Sequence, residues 1–81
     1  MDTQFLRTFV LVVDRGSMAA AARHLNITPA AVAQQIRALE RELGVPLLAR
    51  AGRTVNVTEE GARIIDRVRA LLRDVSDLRS I

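Results

Sequence analysis

The sequence predicts a small, mainly helical domain with one β-hairpin and a long final helix. Three observations point there. Apolar residues recur at three- and four-residue spacing through much of the chain. Capping and chain-breaking residues at Gly16-Ser17, Asn26 to Pro29, Gly44 to Pro46 and Ala51-Gly52 divide it into five pieces. The 81 residues, 49% of them hydrophobic, suffice for one modest core and no second domain.

The first helix is expected from residue 3 to residue 14, where Phe5, Phe9, Val12 and Val13 recur at helical spacing with Leu6 and Val10 beside them. Ser17 is a good N-cap for a second helix over 18–25. Its Ala19-Ala20-Ala21-Ala22 run is strongly helical and lets a neighbouring helix approach closely. Asn26 tolerates the left-handed conformation of a tight turn. Thr28-Pro29 then supplies the N-cap and first position of a third helix over 29–43. On it Val32, Ile36, Leu39 and Leu43 form one stripe, Gly44 closes the helix, and Pro46 prevents its continuation. Residues 47–50 and 54–57 are short and β-compatible, with Ala51-Gly52-Arg53 between them, which predicts the hairpin. Thr58 caps the fourth helix, and Glu59 and Glu60 suit the positive end of its dipole. Its pattern runs to the last residue, a length of about 33 Å.

Composition excludes several function classes. The chain has no Cys, so neither a disulfide scaffold nor a thiolate metal site is possible. Arg23, Arg37, Arg41, Arg50, Arg53 and Arg63 interrupt the apolar runs too often for a membrane span, and the N-terminus lacks signal-peptide patterning. A cytoplasmic, nucleoid-associated domain without membrane contact is expected. His24 is the only His, and without Cys or clustered acids it has no nucleophile–base or metal-ligand partner. The four Gly are scattered at turns and make no phosphate loop. The chain is therefore not expected to be an enzyme, and no cofactor is expected in this domain.

Charge points to a partner. The net charge is +3, and all twelve basic residues are Arg. Arg binds phosphate and guanine bidentately, although an all-Arg basic set also fits a GC-rich genome. The excess is concentrated: residues 1–27 carry +1, residues 28–58 carry +2, and residues 59–81 are neutral.

The middle of the chain carries the main motif. Ala22, Leu25, Ile27, Val32 and Ile36 hold the spacing of a helix-turn-helix core, with Ala22 small enough for close crossing. If Val32, Ile36 and Leu39 face inward, 100° per residue puts Ala30, Ala33, Gln34, Arg37 and Arg41 outward. A face that begins small and uncharged suits entry into a DNA major groove, with Gln34 and Arg37 in reach of base edges. An ordinary helical hairpin with a solvated face is the plainer alternative. Arg50, Arg53 and Thr54 cluster at the hairpin tip, where Arg can meet phosphate or the minor groove. In the last helix Ile64, Val68, Leu71, Val75 and Leu78 are spaced four, three, four and three, a heptad seam that Ile65 and Leu72 widen. Its start fits packing on the domain's own core, but three short helices cannot cover the whole length. A second copy of the same helix is the expected cover, giving a two-fold dimer with two recognition helices.

These residues resemble the N-terminal winged helix-turn-helix domain of LysR-type transcriptional regulators. The resemblance runs through Phe5-Leu6-Arg7-Thr8-Phe9, Gly16-Ser17-Met18, Ala21-Ala22-Arg23-His24-Leu25 and Gln35-Ile36-Arg37-Ala38-Leu39-Glu40. It is strongest at Leu43-Gly44-Val45-Pro46-Leu47-Leu48-Ala49-Arg50 and closes with Val57-Thr58-Glu59-Glu60-Gly61. It implies a winged DNA-binding domain over 1–58, with the helix-turn-helix near 18–37 and the wing near 47–57, and a linker helix over 59–81 that pairs with a second copy. It further implies double-stranded promoter DNA with an interrupted inverted repeat as partner. A tetramer is implied for the full-length protein, and a small-molecule effector only through a C-terminal domain that this chain does not contain. The family's usual Ser-Gln-Pro-Ala-Leu-Ser-Arg is here Thr28-Pro29-Ala30-Ala31-Val32-Ala33-Gln34. Base readout is thus expected from Gln34, Arg37 and thymine contacts by Ala30 or Ala33, with phosphate near Ser17, Thr28 and Pro29 and at Arg50, Arg53 and Thr54. Two alternatives stay open: an interaction module that keeps the fold without DNA duty, and the DNA-binding domain of a molybdate-responsive regulator.

Overall fold

In the computed structural model of the chain, which describes residues 1–52 and 54–81, each helix starts at a side-chain oxygen that accepts an N–H of its first turn. Asp2 Oδ1 takes the amide of Gln4 at 2.7 Å and opens α1 (Thr3–Arg15). Ser17 Oγ takes that of Ala20 at 3.0 Å and opens α2 (Met18–Leu25). Thr28 Oγ1 takes that of Ala31 at 3.1 Å and opens α3 (Pro29–Leu43). Thr58 Oγ1 takes that of Gly61 at 2.9 Å and opens α4 (Glu59–Arg79). These bonds satisfy amides that have no partner inside the helix. Asn26 ends α2 and Gly44 ends α3, both left-handed, with φ of 60° and 74°. A Cβ disfavours that region, which is why Gly and Asn stand there.

The wing is an antiparallel pair, β1 (Leu48–Ala51) and β2 (Thr54–Val57), with Leu48 opposite Val57 and Ala51 opposite Thr54. The architecture is the mainly helical one the sequence predicts, with three corrections. First, α1 runs one residue further, to Arg15, where Gly16 at φ 78° stops it. Second, β1 is shifted by one residue to 48–51: Leu47 is a core plug with no exposed surface whose carbonyl accepts the Thr58 amide at 3.0 Å, and Ala51, expected in the turn, pairs with Thr54. Third, α4 ends at Arg79, where the Ser80 amide turns back to the Asp77 carbonyl, so the helix is about 31 Å long.

The core gathers Leu6, Phe9 and Val12 of α1, Ala21 and Ala22 of α2, Val32, Ile36 and Leu39 of α3, Leu47, and Ile65 and Val68 of α4. Each large side chain buried there contributes about 1.5–3 kcal/mol. α1 is the hub and touches α2, α3, α4 and β2. The rotation of α3 is fixed against it by the fully buried Thr8, whose hydroxyl lies 2.6 Å from Gln35 Oε1.

α4 packs on this body through Ile65 and Val68, with Ile64 and Leu72 half-buried against the core. Arg69 of α4 grips Asp14 of α1 with two hydrogen bonds, at 2.6 and 3.2 Å. Leu71 and Leu78 remain 46% and 69% exposed. Of the residues on the expected dimer seam, Ile65 and Val68 are buried in the domain's own core, Ile64 and Leu72 pack against it, and Leu71, Val75 and Leu78 lie outside it. Among the described residues, no helix is long and apolar enough to cross a membrane.

Candidate nucleic-acid interface

α2, its tight turn and α3 cross through small and branched apolar side chains. Ala21 and Ala22 are buried in the same core cluster as Val32 and Ile36, and the Ile27 amide returns to the Ala22 carbonyl at 3.0 Å. With Val32, Ile36 and Leu39 turned into the core, Ala30, Gln34, Arg37 and Arg41 are exposed on the other side and Ala33 is half-buried. The outward face derived from helical periodicity is therefore the observed one. Its first turn carries methyl groups only, so nothing bulky or charged bars that end of α3 from a groove.

The wing lies beside this face. Ser17 and Ala19 of the α2 start, Pro29 of the α3 start, and Arg50 and Thr54 of the wing line one depression of about 370 Å³. A narrower one of about 80 Å³ runs between α3 and the wing and is lined by Ala33, Arg37, Glu40, Leu48 and Arg50. Residues scattered over 17–54 in the sequence are thus brought to one side of the molecule. Arg53 lies outside the described residues. The Ser17 and Thr28 hydroxyls accept their capping amides and keep a proton free to donate outward. Thr54, exposed in the same depression, donates its hydroxyl to the Ala51 carbonyl at 2.9 Å.

Among the described residues, the ion pairs join Met1 to Glu42, Arg63 to Glu59 and Arg69 to Asp14. Arg63 and Arg69 of α4 are paired locally, while Arg37, Arg41 and Arg50, like Arg67, Arg73 and Arg79 of α4, are in no ion pair among the described residues. Asp14 is held below the ordinary carboxylate range by the hydrogen bonds from Arg69. His24 Nδ1 lies 3.0 Å from Arg15 Nη2 at the solvated end of α2, away from the depressions beside the wing. Among the described residues, no group of three His, Cys, Asp or Glu is placed to hold a metal ion.

Sequence reasoning passed over Glu40. Its carboxylate Oε2 accepts the backbone amides of Leu47 at 2.7 Å and Leu48 at 3.3 Å. The available signal was its sign: it stands between Arg37 and Arg41, in the most basic third of the chain.

A family model described as a bacterial regulatory helix-turn-helix protein of the lysR family matches residues 3–62. The chain belongs to the lysR family. It is 52% identical over 58 residues to the AhcY transcriptional activator HvrB of Rhodobacter capsulatus, covering 72% of this chain and 20% of that protein. It is 44% identical over 73 residues to the HTH-type transcriptional regulator DmlR of Escherichia coli, covering 90% of this chain and 24% of that protein. Its fold is similar to that of CbnR_DBD in a DNA complex, with a TM-score of 0.94 and 32% identity, over 99% of this chain and 92% of that one. BenM_DBD bound to catB site 1 DNA gives a TM-score of 0.92 and 39% identity, over 99% and 86%. These lysR-family relatives are named as regulators of transcription, and the chain spans a fifth to a quarter of the two curated proteins' length.

Proposed function

We propose that this chain is the DNA-binding part of a LysR-type transcriptional regulator and reads an interrupted inverted repeat as a two-fold pair. The observation that carries the proposal is the exposed side of α3 with the wing beside it: Arg37 and Arg50 line one depression there and are in no ion pair among the described residues, Ser17 and Pro29 line a second with Arg50, and Gln34 is exposed further round α3. α3 enters the major groove, where Gln34 and Arg37 donate to base edges and Ala30 or Ala33 meets a thymine methyl. Ser17, Thr28 and the peptide at Pro29 lie along phosphates, and the wing sets Arg50 on the backbone or in the minor groove. The second copy is held through Leu71, Val75 and Leu78. The rest of a full-length regulator supplies the response to a small molecule and the tetramer.

A salt titration tests this. One duplex carries a T and an A separated by about eleven bases in an inverted repeat, and the other is its scrambled counterpart. Two copies making roughly four to six phosphate contacts give a log–log slope of about −4 to −5. A steep slope with clear preference for the repeat is the expected result. A steep slope without preference removes the sequence-specific half of the proposal, and no binding at low salt leaves the interaction-module reading.

A further inference from the structure

We infer that Glu40 is a positioning residue for DNA binding: its carboxylate fastens the root of the wing to the recognition helix α3 and so keeps Arg50 beside Arg37. This rests on the DNA-binding reading above.

A two-stranded hairpin is marginal by itself in water, so its root decides where it stands. On one side that root is tied to the start of α4, where the Thr58 amide donates to the Leu47 carbonyl at 3.0 Å and the Thr58 hydroxyl to the Pro46 carbonyl at 2.6 Å. On the other side the tie is Glu40. Among the described residues, the hydrogen bonds that join α3 to the wing are the two that Oε2 accepts from Leu47 and Leu48. Both are charge-assisted, and they reach the two residues from which β1 departs. Helical spacing places Ala33, Arg37 and Glu40 on one stripe of α3, and the depression between that stripe and Arg50 is the one Glu40 lines. The charge also has a consequence. A carboxylate three residues from Arg37 would ordinarily oppose a phosphate backbone. Here one of its oxygens is turned onto backbone amides. The other acid of the basic third, Glu42, faces the terminal amine at 3.7 Å.

The test uses the 81-residue chain with Glu40→Ala, Glu40→Gln, Arg50→Ala and the Glu40→Ala/Arg50→Ala pair. Amide hydrogen exchange is followed on the free protein, and salt-titrated binding on the duplex that the unsubstituted chain prefers. In Glu40→Ala the amides of Leu47, Leu48 and the strands should lose protection while those of α1 to α3 keep theirs. Its salt slope should become shallower by about one per wing, the same loss as in Arg50→Ala, and the pair should lose no more than either alone. Glu40→Gln keeps a neutral acceptor and should restore most of both. Unchanged wing protection overturns the inference whatever the DNA result. Loss of helix protection together with the wing makes Glu40 a residue of the core fold and also overturns it. Loosened wing amides with an unaltered slope show that the wing's position does not matter to binding and refute the positioning role. If the unsubstituted chain fails to bind any duplex, the DNA-binding reading itself falls, an outcome separate from the exchange result, and the inference falls with it.

Discussion

Gly61 stands in the first turn of α4, where an added Cβ would press on the carbonyl oxygen of Leu47 and lie 2.9 Å from Val57 Cγ1. That carbonyl cannot simply step aside, because it already accepts the Thr58 amide and belongs to the peptide that follows the fully buried Leu47 side chain. Two effects therefore oppose each other in Gly61→Ala. Removing a helical Gly gains about 1 kcal/mol of helix propensity. Forcing a methyl into a filled contact costs about 1–3 kcal/mol, and more when the neighbour is backbone. The second should win, with a melting temperature lower by roughly 4–8 °C per kcal/mol lost. A thermal melt reads the sign directly. A higher midpoint than that of the unsubstituted chain would mean that the root of the wing gives way, contrary to the packing described here.

At the scale of elements, what was legible in the sequence was whatever is decided locally. Ser17, Thr28 and Thr58 cap helices through an amide three residues on, and Gly44 closes one through its own φ, so those three starts and that stop could be read from neighbours alone. The outward face of α3 followed from the direction of Val32, Ile36 and Leu39. Leu47 was misread as strand because nothing nearby shows that the wing root is filled by the core and bonded to Glu40 and Thr58. The grouping of Ser17 and Pro29 with Arg50 came only through the family resemblance, because it depends on how the wing folds back and leaves no local pattern. The Asp14–Arg69 pair joins residues 55 apart and leaves no local pattern. It clamps the middle of α4 to the end of α1 and so sets how the long helix leaves the body. Asp14→Asn should lower unfolding stability at pH 7 by about 0.2–1 kcal/mol, the range for a solvent-exposed pair, and less at high salt. The Arg69 hydrogen bonds depress the folded-state value of Asp14, so the pair's contribution is whole above about pH 4 and is lost as pH falls through that lower value. Urea unfolding at pH 7 and pH 3 should show the two chains converging in acid. A gap that widens in acid would reverse the assigned sign.

Over the whole molecule, extents of 43 × 27 × 19 Å describe a compact body with a helix projecting from it. α4 has the core beneath it as far as Leu72, and beyond that point Val75 and Leu78 are not among the described residues that pack on the core. A helical segment of that length is marginal in water when nothing packs on it. Leu71 and Leu78, 46% and 69% exposed, also give it the apolar edge that a monomer rarely leaves open. In the proposed pair a second α4 would answer both, and a two-fold axis there would turn two copies of α3 toward one duplex. Leu71→Asp and Leu78→Asp together should leave the winged body folded, since neither side chain is in its core, and should give a monomer in sedimentation at tens of micromolar where the unsubstituted chain sediments as a pair. Affinity for the inverted repeat should fall by at least about 100-fold, because the second half-site loses its tethered copy. Affinity for a single half-site should stay the same, since α3 and the wing are untouched. If the substituted chain still binds the full repeat as tightly as before, the two copies are not joined through α4, and the half-sites are being read independently.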